Sequence, residues 1–329
     1  MSIAVLKPGL LTTVQDLGRT GFQHLGISVG GAMDSRAHRL ANLLAGNDGD
    51  AAALEITFGG PTLRFDSPAC FALAGAQLRA RLNGEPVPNY RPLIARAGDT
   101  LAFGAREAGL RAYLAVHGGF DLPRVMGSYS TYLRGGFGGL AGRALRTGDT
   151  LKLATPLPAT GLDALARRLW EIRIYLPAPL ALQPRAALRL IRGAHAVLFT
   201  QDAIQSLFSA SFTVSADADR MGYRLTGPSL SLIKPTQLLS EATATGSIQV
   251  PADGQPIVLM ADRQTVGGYA KIGHVASVDL PHVAQRMPGE TLRFEEVTVE
   301  QAQALDIARE AAFATLHETL APLRAALAR

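Results

Sequence analysis

Three short stretches in the later half of the chain concentrate groups able to do chemistry. Asp219-Arg220-Met221-Gly222-Tyr223-Arg224-Leu225 sets two arginines in a turn. Glu241 precedes Gly246-Ser247-Ile248-Gln249-Val250-Pro251, and Asp262-Arg263-Gln264-Thr265-Val266-Gly267-Gly268-Tyr269-Ala270-Lys271 follows an apolar run. Arginine grips a carboxylate or phosphate through two parallel hydrogen bonds. A carboxylate such as Asp262 orients a donor or takes a proton, and Lys271, one of only four lysines, can stabilise developing negative charge. Polar residues at strand ends are where a barrel mouth presents a site. The competing reading is turn chemistry with ion pairs at the rim.

A second cluster lies near the start, where Thr12-Thr13-Val14-Gln15-Asp16-Leu17-Gly18-Arg19-Thr20-Gly21 runs into further glycines. Either its backbone amides approach a ligand that Gln15, Asp16 and Arg19 orient, or it is a surface loop in which Asp16 and Arg19 pair. His117 reads as a hydrogen-bonded core residue, and Glu55 as a solvent-facing residue of an alternating strand. Tyr129, Tyr132 and Arg134, before Gly135-Gly136-Phe137-Gly138-Gly139, read as a mobile flap or a plain turn. The sequence holds no Gly-x-x-x-x-Gly-Lys-Ser/Thr loop, no Cys/His metal spacing, no Gly-x-Ser-x-Gly elbow and no Met-Lys-Met for covalent biotin. The common self-sufficient active sites are thereby excluded.

The elements that must position these residues are mainly strands. Short apolar runs such as Ala69–Ala74, Leu110–Val116 and Pro256–Met260 are bounded by Gly, Pro, Asp and Asn, which predicts barrel-like sheets. Ala97-Gly98-Asp99-Thr100-Leu101, Thr147-Gly148-Asp149-Thr150-Leu151 and Pro288-Gly289-Glu290-Thr291-Leu292 repeat one pattern. In each, glycine supplies a positive φ, the acid bonds the turn backbone, and a strand begins at the threonine. Asp34 is positioned to cap a helix that stops at Gly46-Asn47, and residues 161–170 read as another helix. Thr298 and Gln301 form a capping box for a C-terminal helix with Leu305, Ala308, Ala312, Leu316, Leu320, Leu323 and Leu327 on one face, which Pro322 bends or ends. The Pro-rich stretch 154–160 is the linker candidate. It predicts an N-terminal β-barrel lobe over 1–160, a C-terminal lobe over 161–296 bearing the main polar site, and a helix over 297–329.

The 329 residues carry a net charge of +5, but the arginines are scattered with few aromatics between them, which disfavours nucleic acid as a partner. A single cysteine, Cys70, excludes an internal disulfide. The apolar runs fall short of a membrane span, and the first residues break too early for a secretory segment, so a cytoplasmic protein is expected.

These same motifs resemble a known family. Thr12-Thr13-Val14-Gln15-Asp16-x-Gly-Arg19, the Ala41-Asn42-x-Leu-x-Gly46-Asn47 helix end, Asp219–Leu225, Gly246–Pro251 and Asp262-Arg263-Gln264-Thr265-x-Gly-Gly-Tyr269 together resemble the allophanate hydrolase subunit 2 family, also called the biotin-dependent carboxyltransferase family. The resemblance runs from about Leu6 to Phe294. It implies a mainly β fold, two cyclophilin-like β-barrel domains with few short helices and a C-terminal helix. It also implies obligate partners: a subunit 1 family protein (the B chain of 5-oxoprolinase) and a third protein (the A chain). The implied reaction is ATP-dependent opening of 5-oxo-L-proline to L-glutamate with release of ADP and phosphate, ATP with Mg²⁺ serving as co-substrate. The alternatives are carboxyl transfer from biotin carried on another protein, as in urea carboxylases, and non-catalytic regulation of the subunit 1 homologue. By analogy a catalytic role falls on Asp262 and Lys271. Substrate or nucleotide contacts fall on Arg220, Arg224, Glu241, Ser247, Gln249, Gln264, Tyr269, Gln15, Asp16 and Arg19.

Overall fold

A computed structural model describes residues 1–328. Twenty-one strands and six α-helices occur among the described residues, so the protein is mainly β, as its short bounded runs predict. Two compact units form. The first takes Met1–Arg19, Gly30–Pro177 and the chain from Phe313 onward, and the second takes Thr20–Val29 and Ala178–Ala312.

The first unit holds two antiparallel sheets. One is six-stranded, in the order Thr150–Lys152, Ser2–Lys7, Thr62–Phe65, Thr100–Ala102, Arg81–Leu82, Glu85–Pro86. The other is five-stranded, in the order Leu11–Gln15, Ala53–Thr57, Ala108–Val116, Ala69–Gln77, Pro92–Ala95. Their alternate residues, among them Ile3, Val5, Val14, Leu54, Phe65, Phe71, Leu101 and Leu151, form one apolar core. The second unit is built on an eight-stranded sheet in the order Thr291–Leu292, Phe212–Val214, Gly222–Thr226, Ile257–Leu259, Ser247–Val250, Ala270–Val275, Leu188–Arg192, Phe294–Glu296. Its two edge strands are consecutive in the chain, separated only by Arg293. The sheet is therefore a near-closed barrel with almost no free edge.

The three repeated turns behave alike down to their hydrogen bonds. Gly98, Gly148 and Gly289 take φ values of 92°, 88° and 87°. Asp99, Asp149 and Glu290 accept from the backbone N–H three residues earlier, at 2.7, 2.7 and 3.1 Å. Each turn is then clamped to a neighbouring strand. The glycine N–H donates to, and the acid's carbonyl accepts from, Phe65, Val5 and Val214 respectively. The pattern is a device for starting barrel strands, used in both units.

The helical expectations hold where local chemistry writes them. Asp34 caps the helix Ser35–Leu44 through the Ala37 N–H at 2.8 Å, and Gly46 follows with φ 78°. The Thr298–Gln301 capping box forms in both directions, at 2.9 and 3.2 Å, ahead of the helix Val299–Thr319. Pro322 sits in the first turn of a separate short helix, Ala321–Leu327, where its missing N–H is harmless. Ala312, Leu316, Leu320, Leu323 and Leu327 are buried, Leu305 is half-buried and Ala308 is exposed. The last residue of the expected 297–329 segment lies outside the described residues.

Two expectations change. The helix Leu162–Glu171 packs on the strand Pro92–Ala95 and the helix Ala321–Leu327, and Arg91 stacks on Trp170 at 4.9 Å. It therefore belongs to the first unit, and the changeover comes at Pro177–Ala178 rather than after Thr160. Glu55 is not solvent-facing. Its strand is covered on its second face by the helix Ser35–Leu44, and the carboxylate accepts from Tyr113 Oη at 2.7 Å and the Met33 N–H at 2.8 Å. His117 is the hydrogen-bonded residue expected, its Nδ1–H donating to the Ala45 carbonyl at 3.0 Å.

Candidate functional site

Two of the three dense polar segments of the second unit, 241–251 and 262–271, come together along one pair of loop arms. Glu241–Ala242 pairs antiparallel with Val266–Gly267, extended by the Thr243 N–H donating to the Thr265 carbonyl at 3.0 Å. Beneath them run the neighbouring strands Ser247–Val250 and Ala270–Val275, with Gln249 opposite Lys271 and Ser247 opposite His274. Cross-strand partners share a face, so these four polar side chains line one side of the sheet. The register shifts between Ile248 and Gln249, a bulge that re-aims the side chains.

Lys271 extends its ammonium to Glu241 Oε1 at 2.8 Å and to the Ala242 carbonyl at 2.7 Å. That contact holds the Glu241 carboxyl below the ordinary carboxylate range. His195 joins this pair: its Nδ1 accepts from the Lys271 N–H at 3.1 Å and its Nε2 lies 3.4 Å from Glu241. Gln264 donates to Gln249 Oε1 at 3.0 Å, while the buried Gln249 Nε2 has no partner among the described residues. A β-carbon on Gly267 would stand 2.6 Å from that nitrogen, so only glycine leaves it approachable. Ser247 Oγ lies 3.3 Å from His274 Nδ1. Tyr269, half-exposed, lines a cavity of about 650 Å³ with Gln237, Leu238, Pro251 and Gly268.

Asp262 and Arg220 form a separate, buried, two-pronged ion pair. Arg220 Nε donates to Oδ2 at 2.9 Å and Nη2 to Oδ1 at 3.0 Å, and the Asp262 N–H returns a bond to the Arg220 carbonyl at 2.8 Å. This pair fixes the root of the 262–269 arm. Arg224 stands apart, exposed between the buried Tyr223 and Leu225. Sequence reasoning missed His195, Arg263 and His274. His195 and His274 are lone residues whose partners lie far along the chain, so no local spacing announces them, and Arg263 stood inside the Asp262–Lys271 stretch without a role assigned to it.

The early cluster is a buried network of the first unit. Burial alone would raise the Asp16 pKa. Hydrogen bonds from Ser130 and Ser128 Oγ at 2.5 and 2.7 Å, and from the Tyr129 and Gly18 N–H groups at 2.6 and 2.8 Å, hold it below the usual value instead. Arg19 donates to the Ser130 carbonyl and stacks 4.9 Å from the Phe137 ring. Gln15 donates to Thr13 Oγ1 at 3.0 Å and accepts, through its carbonyl, from His38 Nε2–H at 3.1 Å. These residues pin the segment 128–131 to the strand Leu11–Gln15. Tyr132–Phe137 then closes a tight turn, with its rings 5.4 Å apart.

Comparison with known proteins bears on this arrangement. The family model described as carboxyltransferase domain, subdomain A and B, matches residues 25–296. The chain belongs to this carboxyltransferase family. Within the family, it is 40% identical over 304 residues to the C chain of 5-oxoprolinase from Escherichia coli, covering 91% of this chain and 93% of that protein. The likeness to the corresponding 5-oxoprolinase chain of Haemophilus influenzae is also 40%, over 92% and 94% of the two chains. Among solved structures, the urea amidolyase of K. lactis superposes with a TM-score of 0.86 at 30% identity. It covers 96% of this chain, which spans only 20% of that larger one.

Proposed function

We propose that this chain is one component of an ATP-dependent 5-oxoprolinase that converts 5-oxo-L-proline to L-glutamate, working with a subunit 1 family protein (the B chain) and a third protein (the A chain). The observation that carries the reading is end-to-end similarity to two 5-oxoprolinase C chains, against one-fifth coverage of the urea amidolyase. A five-membered lactam is an unreactive amide. Transfer of the ATP γ-phosphoryl group to its carbonyl oxygen creates a leaving group. Water then adds at that carbon, the adduct expels the ring nitrogen, which takes up a proton, and the acyl phosphate that remains is cleaved by a second water to glutamate and phosphate.

In this scheme Lys271 neutralises the negative charge that gathers on the carbonyl oxygen, with Glu241 and the Ala242 carbonyl holding its ammonium in place and His195 beside Glu241. Gln249 and Gln264 supply amide groups beside Gly267 that read the lactam, and Tyr269 lines an adjoining cavity with Val250, Gly268 and Ala270. Asp262, locked by Arg220, orients the lactam nitrogen or takes its proton. Ser247, on the same sheet face as Gln249 and Lys271, adds a hydroxyl to the ligand-binding set. Mg²⁺ would arrive with the nucleotide, and among the described residues no group of three His, Cys, Asp or Glu is placed to hold a metal of the chain's own. The second reading, carboxyl transfer, draws on the fold match to urea amidolyase. Co-expression with the two partner chains separates them. Glutamate release from 5-oxo-L-proline with ATP, and without bicarbonate or a biotinyl protein, supports the first. Activity that demands both supports the second.

A further inference from the structure

Arg263 is 8% exposed, yet the one side-chain hydrogen bond shown for its guanidinium goes to a neutral hydroxyl, Thr245 Oγ1, at 2.6 Å. Its buried Nε has no partner among the described residues. Burial pushes its pKa below the ordinary value, and no carboxylate among those residues offsets that. A buried guanidinium without a counter-charge is costly, and an anionic ligand seated beside it offsets that cost.

The groups around it fit a ligand rather than a fold support. Thr245, Gly246 and Ser247 form one edge, with Gly246 at φ 89° bringing the backbone close to His274. Ser247 Oγ meets His274 Nδ1 at 3.3 Å. Burial and the nearby Arg263 charge both lower the His274 pKa, so that imidazole is neutral at pH 7. Ser28 Oγ donates to the Arg263 carbonyl at 2.7 Å and fixes the backbone of the arm. The result is one fixed positive charge beside two hydroxyls and a neutral imidazole, on the strand that carries Gln249.

We propose that Arg263, with Thr245, Ser247 and His274, forms a binding site for a small monovalent carboxylate. One positive charge balances one negative charge, whereas a phosphate dianion would leave a surplus of negative charge in a buried place. The fork of Arg263 offers Nε and a second nitrogen side by side, the geometry a carboxylate accepts. On the reading that this chain belongs to an oxoprolinase, the carboxylate is that of the 5-oxo-L-proline ring, and the site sets specificity for the acid over its amide.

The test follows the Arg263 Nε–H resonance of the full chain during titration with sodium acetate, 5-oxo-L-proline, 5-oxo-L-prolinamide and sodium phosphate at pH 7. Acetate and 5-oxo-L-proline are expected to shift it saturably, with at least tenfold weaker response to the amide and to phosphate. Arg263→Met is expected to abolish anion-dependent thermal stabilisation while the anion-free protein melts no lower than wild type, because an unpaired buried charge has gone. Ser247→Ala is expected to weaken acetate binding several-fold without unfolding the chain. No saturable shift with any carboxylate, tighter binding of phosphate, or undiminished binding by Arg263→Met would overturn the site. Acetate binding without 5-oxo-L-proline binding keeps the carboxylate site and removes its assignment to the lactam.

Discussion

Replacing Asp262 by alanine leaves Arg220, only 6% exposed, as a buried guanidinium stripped of its two-pronged partner. Losing one member of such a pair costs about 3–5 kcal/mol, since the stranded charge keeps its desolvation penalty. For a unit of this size, that is a fall in melting temperature of roughly 6–20 °C. The double variant Arg220→Met with Asp262→Leu removes both charges, and is expected to recover most of the loss, to within about 1 kcal/mol of wild type. Urea unfolding should be followed by circular dichroism, because the sole tryptophan, Trp170, lies in the first unit and the pair in the second. If Asp262→Ala unfolds within about 1 kcal/mol of wild type, or the double variant is as unstable as the single, the pair does not anchor this arm.

Further outcomes follow from other contacts. Lys271→Met removes a pair whose Glu241 partner is half-exposed, so stability should change by less than about 1 kcal/mol in the same urea assay. Asp16 has its pKa depressed in the folded state, so its contribution is present above the unfolded value near 3.8 and lost as pH falls through the lower folded one. The stability gap between wild type and Asp16→Asn should accordingly be flat from pH 7 to 5 and shrink on further acidification. Gly142→Ala places a β-carbon 2.0 Å from the Gly136 carbonyl oxygen at φ 68°, whereas Gly148→Ala at φ 88° meets nothing within 4 Å. The first should cost more than about 3 kcal/mol and the second about 1–2 by chemical denaturation. Burial pushes the Cys70 thiol up to about 12, so iodoacetamide should label it only after unfolding.

What the sequence made legible was chemistry that acts over a few residues. The three Gly-acid-Thr turns, the Asp34 cap and the Thr298–Gln301 box are self-contained hydrogen-bond patterns, and each formed as read. The grouping of Glu241, Gln249, Gln264 and Lys271 was legible as density in three stretches. Its basis, the pairing of Glu241 with Gly267 and of Gln249 with Lys271, is not local. Glu55 misled because alternation signals exposure only when the second face of a strand is bare, and a helix from another part of the chain covers that face. His195 lies 76 residues from the Lys271 N–H it accepts, and Ser28 lies 235 from the carbonyl it caps. No spacing rule reaches that far. The same reason hid the assignment of Thr20–Val29 to the second unit.

In the proposed function the paired arms around Lys271 carry the lactam chemistry. Measuring glutamate and ADP released by the reconstituted three-chain complex, wild type beside Lys271→Met, tests it most directly. ATP-dependent glutamate release is expected in the wild type, with a fall of about 100-fold or more in kcat for the variant, the size expected when one charge-stabilising group is lost. Glutamate release by Lys271→Met at the wild-type rate, from a complex that assembles normally, would contradict it.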